Sequence, residues 1–133
     1  MSSSSIFISK ENRFLVKNGF VLLIAKLVER FLIKKGDRSN TDSNGNILYE
    51  LLEDWKIPDF GIFLYSLSSR DFNTVVYSIE KGRKYLDTLV EEKQQEEFIE
   101  DHIGVWVFND LKYYVDETLR HCYMDPRYES EIK

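Results

Sequence analysis

The run from Phe20 to Ile33, FVLLIAKLVERFLI, is apolar at eleven of its fourteen positions, and its only charges are Lys26, Glu29 and Arg30. Spacings of three and four put those charges on one narrow stripe of a helix and leave the rest of the circumference apolar. A helix of that kind must be covered on several sides. The pattern therefore predicts a mainly α-helical single domain of about five or six helices arranged as a bundle around a central helix at 20–33. This first helix is expected to start near Ser9 or Asn12, either of which can cap it, and to stop at Gly36. Gly19, inside that span, marks a kink, a break or the close approach of a neighbour. Residues 1–9 read as a polar tail in which only Ile6, Phe7 and Ile8 offer anything to pack.

Asp37 to Asn46, DRSNTDSNGN, holds only turn formers and charge and is expected to be a mobile loop. Ile47, Leu48, Leu51, Leu52 and Trp55 then repeat on one helical face, opposite Glu50, Glu53 and Asp54. Pro58 ends that helix. Residues 57–67 are too apolar for a surface helix and read as either a buried helix or a strand. Ser68 and Asp71 have capping-box spacing, and Phe72, Val75, Val76 and Ile79 follow with helical period. The pattern leaves open whether Gly82 breaks this helix or lies within it. Glu91 to Glu97, EEKQQEE, has no apolar residue and should project into water. Residues 103–108 are β-branched and aromatic and give a short strand candidate, with Ile6 to Ile8 or Ile62 to Tyr65 as its available partners. Asn109 or Asp110 should cap a last helix whose buried face is Leu111, Tyr114, Val115, Thr118, Leu119 and Cys122. Residues 124–133 read as a second polar tail, with Pro126 stopping the helix.

A chain of 133 residues has the size of one domain and can bury a substantial core. One cysteine, Cys122, allows no internal disulfide and fits a reducing compartment. The N-terminus lacks the basic start and apolar run of a secretory signal, and 20–33 is too short and too charged to span a membrane. Together these predict a cytoplasmic protein that does not enter a membrane. Charge is polarised along the chain. Residues 1–38 hold eight Lys/Arg against three Asp/Glu, or +5, and residues 39–133 hold ten against twenty, or −10.

Candidate chemistry is sparse. His121 and Cys122 are adjacent, so on a helix they point about 100° apart and do not share an ion. Glu117 and His121 stand four apart and can touch each other, but the Glu-x-x-His pairs of carboxylate-bridged metal bundles do not occur. Cys122 falls on the buried face of its helix. His102 beside Asp101 has no second catalytic group at a telling spacing. No G-x-S-x-G, phosphate-binding loop or dinucleotide fingerprint is present. The basic residues of the first third are too dispersed for a phosphate-binding patch, and the acidic remainder repels nucleic acid. We therefore expect no enzymatic activity, no metal, no cofactor and no nucleic-acid partner.

The strongest functional signal lies in residues 87–101. Asp87, Glu91, Glu92, Glu96, Glu97, Glu100 and Asp101 are opposed there by Lys93 alone, a net charge of −6. Like charges crowded on a helix repel and add nothing to a core, so solubility or recognition must account for them. With Tyr113 and Tyr114 downstream, the segment suits a basic protein partner, such as a toxin nuclease domain whose phosphate cleft it would occupy. In its general profile the chain resembles the immunity proteins that bacteria pair with secreted toxins, which are small, acidic and aromatic-rich. That resemblance implies a monomeric inhibitor. The alternatives are a dimeric acidic secretion-type chaperone for an effector protein, or a small regulatory or scaffold subunit.

Overall fold

The computed structural model describes residues 3–35, 53–55, 61–99 and 108–129. Among the described residues it is mostly helical, with five helices and a small three-stranded sheet. The elements run β1 (Ser3–Phe7), β2 (Arg13–Lys17), α1 (Asn18–Lys35), α2 (described at 53–55), β3 (Ile62–Phe63), α3 (Ser69–Thr88), α4 (Glu92–Ile99) and α5 (Phe108–Tyr123). The expected loop at 37–46 and strand residues 103–107 lie outside the described residues, while Phe108 opens α5.

The N-terminus corrects two expectations. Residues 3–17 are an antiparallel hairpin, neither tail nor helix, with Ser3 opposite Lys17 and Phe7 opposite Arg13. Alternation decides it: Ile6, Ile8 and Val16 are buried, while Arg13 and Leu15 between them face water. Ser9 and Asn12 close the hairpin instead of capping a helix. The N–H groups of Ile8 and Ser9 both reach the Asn12 carbonyl, and the Asn12 N–H donates to Ser9 Oγ at 3.0 Å. β3 joins β1 in parallel, Ile6 beside Ile62 and Phe7 beside Phe63, giving the order β2-β1-β3. The two segments named as partners for a strand at 103–108 thus pair with each other. Gly61 has φ of 94°, and a Cβ there would fall 2.6 Å from the Ser5 carbonyl oxygen, so β3 approaches β1 where only glycine fits.

On α1, Phe20, Val21, Leu23, Ile24, Ala25, Leu27 and Val28 are buried, Lys26 and Glu29 are half-buried, and Arg30 is exposed. The charged stripe thus forms the solvent side, as its spacing required. α3 is one helix through Gly82. A Cβ at Gly82 would lie 3.2 Å from Leu27 Cβ and Cδ2, so this glycine lets α3 and α1 approach closely. Ser68 caps α3 as its spacing predicts, its Oγ accepting from the Asp71 N–H at 3.2 Å. The α3–α4 turn is held by side-chain amides: Gln94 Oε1 accepts from the Glu91 N–H, and Gln95 Nε2 donates to the Leu89 carbonyl. α5 begins at Phe108, so Asn109 and Asp110 lie in its first turn and not at its cap. Its buried face is Phe108, Leu111, Val115, Thr118, Leu119 and Cys122.

Residues 124–129 are not a loose tail. Asp125 is buried, and the Arg127 guanidinium donates to the carbonyls of Leu64, Leu67 and Ile8 at 2.7, 2.9 and 2.7 Å. It lies 4.0 Å over the Phe72 ring. Asn73 accepts from the Glu129 N–H and donates to the Arg127 carbonyl, fastening this stretch along α3.

Candidate functional site

The described residues singled out in the acidic half come from the end of α3, the turn that follows it, α4 and α5. Asp87, Glu91, Glu97 and Tyr113 are exposed. Glu100 and Asp101 lie outside the described residues, as do the side chains of Glu92 and Glu96, although both of the latter sit on α4. Tyr114 is half-buried, its ring 4.7 Å from Phe20, so it belongs to the edge of the core; Tyr113 keeps 58% of its surface exposed.

Sequence reasoning missed Arg83, which organises this region from inside. Its Nε donates to Asp116 Oδ1 at 2.8 Å and its Nη1 to Asp87 Oδ1 at 2.7 Å, while Lys112 Nζ stands 3.3 Å from the same Asp87 oxygen. Two carboxylates from α3 and α5 thus meet two cations, and the seam is charge-balanced. Hydrogen bonding from Arg83 holds Asp87 below its ordinary carboxylate range. The signal was present in the sequence: Arg83 and Asp87 stand four apart on a helix. Glu117 is likewise engaged, accepting from Arg120 Nη2 at 2.6 Å. Among the described side chains of this region, outward-facing acid therefore rests with Glu91, Glu97 and Asp110, together with the exposed sides of Asp87 and Asp116, which keep 59% and 55% of their side-chain surface.

A cleft of about 490 Å³ opens beside α4, where Lys26, Glu29 and Arg30 of α1 face Tyr85, Gln94, Glu97 and Phe98. The Arg30 guanidinium lies 4.3 Å over the Tyr85 ring, and Phe98 meets the same ring edge-on at 6.0 Å. Both signs of charge line this cleft. It selects no single class of small anion or cation.

The chemistry available to nucleophiles is limited by burial. Cys122 is fully buried, and desolvation pushes its thiol up to about 12, so at neutral pH it is not a thiolate. His121 stacks on Phe14 at 4.6 Å, and its Nδ1–H donates to Asn12 Oδ1 at 2.6 Å, which ties α5 to the hairpin turn. Its Nε2 is 3.9 Å from Glu117, the contact that their spacing suggested. Among the described residues no helix is long and apolar enough to cross a membrane, and no three His, Cys, Asp or Glu side chains converge as metal ligands do.

Compared with protein-family models, curated proteins and solved structures, the chain matches none.

Proposed function

We propose that the chain is a cytoplasmic helical scaffold, built as a bundle around residues 20–33, that acts by stoichiometric binding to a basic protein partner. The mode most like it is the neutralisation of a secreted toxin by a bacterial immunity protein, and the reading involves no reaction of its own. One observation carries it: Asp87 and Asp116, which meet at Arg83 from α3 and α5, stay more than half exposed, and Tyr113, Glu91, Glu97 and Asp110 are exposed on α5, on α4 and in the turn before α4. Carboxylates spread over three elements present a field to a basic surface, and an exposed tyrosine supplies contact area at small entropic cost.

The test is association with a candidate basic protein, sought first among the products of genes neighbouring this one, followed by stopped-flow fluorescence and light scattering. The expected result is a monomer that forms a one-to-one complex at a rate that falls steeply with salt. Reversing Glu92, Glu96 and Glu97 to lysine should slow association at least about tenfold at low salt while leaving the fold intact. An unchanged rate would assign these acids to solubility and move the binding surface elsewhere.

A further inference from the structure

The outer face of the small sheet differs in character from the rest of the molecule. Leu15 keeps 71% of its surface exposed at the middle of β2, and Arg13 is exposed beside it. The Arg13 guanidinium lies 5.4 Å over Phe7, which stacks on Phe63 at 4.9 Å, and the half-exposed Tyr65 meets both rings edge-on. Ser5, Arg13, Phe14 and Leu15 line a depression of about 250 Å³ at this place. In the order β2-β1-β3, β2 lies at the edge, and among the described residues no strand covers its outer side.

The register tells which backbone groups face that edge. The Ile8 N–H bonds to the Asn12 carbonyl across the hairpin, whereas the Phe7 carbonyl accepts from Leu64 on the other side. Hydrogen-bonded pairs alternate along an antiparallel ladder, so Ile6–Phe14 and Ser4–Val16 face inward, and the N–H and C=O groups of Arg13 and Leu15 point outward. Natural sheets commonly guard such an edge with charge or proline at its centre. Here the centre is leucine.

We propose that β2 is a strand-addition site for an extended segment of a partner protein that carries acidic and apolar residues in turn along one face, at every second position, the segment pairing antiparallel with Arg13 to Lys17. Charge selects this occupant. A second copy pairing antiparallel about Leu15 would set Arg13 opposite Lys17 of its neighbour, and like charges directly opposed are destabilising. A carboxylate in that position pairs instead, and an apolar residue between two carboxylates falls opposite Leu15. The site is separate from the acidic face, and either stands if the other fails.

The probe is a short labelled peptide in which threonine alternates with glutamate, leucine and glutamate, titrated by fluorescence anisotropy. It should bind saturably, and at low salt at least about tenfold tighter than the same peptide with lysine for glutamate. Arg13→Glu, which leaves Lys17 as the one cation of the strand, should abolish that preference, and Leu15→Lys should weaken binding about tenfold or more, each with an unchanged circular dichroism spectrum. In hydrogen exchange, the Arg13 and Leu15 amides should be fast in the free protein and slow in the complex. Equal binding of both peptides would overturn the proposal, as would undiminished binding of a peptide N-methylated at its Glu and Leu amides. Concentration-dependent dimerisation that slows the same amides without peptide would overturn it in favour of a second copy.

Discussion

Arg127 directs all five N–H groups of its guanidinium at acceptors: three main-chain carbonyls and both oxygens of the buried Asp125. Arg127→Met would remove the guanidinium donors from all of them, leaving Asp125 only the Arg127 main-chain N–H and the Leu64 carbonyl only the Leu67 N–H, and should cost about 3–5 kcal/mol in urea unfolding. Arg127→Lys has only three donors on a point charge and should recover less than half of the loss. His121 sets the pH response. Burial first, then Arg120, lowers its pKa below the ordinary 6.5, against the pull of Glu117. The unfolded ring takes up its proton near 6.5, so as pH falls below that value the unfolded state binds more protons and stability drops until the folded ring also titrates. Urea midpoints measured from pH 8 to 5 should show this loss in the wild type and not in His121→Gln. Asp87 and Asp125, both held below 3.8 by arginine partners, lose their contribution only in more acidic solution.

Packing of α1 on α3 turns on one pair. Leu27→Ala should cost about 2–5 kcal/mol because its side chain is 1% exposed and lies against Gly82. Gly82→Val, which drives two methyls towards Leu27, should lose about 1–3 kcal/mol, and combining it with Leu27→Ala should return part of that loss. Equal costs in both backgrounds, by denaturant unfolding, would show that the two positions do not meet. α1, α3 and α5 were legible from the sequence because each carries an apolar face at helical spacing over four or more turns. The hairpin was not. Phe14-Leu15-Val16 runs into Phe20-Val21-Leu22 with no turn residues except Asn18 and Gly19, so the apolar run disguised a strand entering a helix directly. The short β3 was legible only as an alternative, since a two-residue strand has no periodicity to read.

On the scale of the whole molecule, the polarity of the chain persists as two different surfaces, an acidic one around α3–α5 and an aromatic one with Arg13 on the sheet. The acidic one was visible as a run of glutamates, and the Arg83–Asp87 pair was readable from its spacing; the part that Lys112 and Asp116 play was not, because both are remote in sequence from Arg83 and Asp87. Reversing Glu91 and Glu97 should therefore change stability by no more than about 0.5 kcal/mol, whereas Asp116→Lys sets a cation against Arg83 and should cost about 1 kcal/mol. A binding defect in the first variant would report on the interface, and one in the second on the fold. The Arg127 lock has a further consequence, for order of assembly. Its bond to Ile8 spans 119 positions, and a ribosome delivers the strand long before the guanidinium that fastens it. Until then the carbonyls of Ile8, Leu64 and Leu67 must stay hydrated. During synthesis the sheet is provisional, and a chain cut after Tyr123 would keep its helices while losing the clasp that makes the sheet permanent.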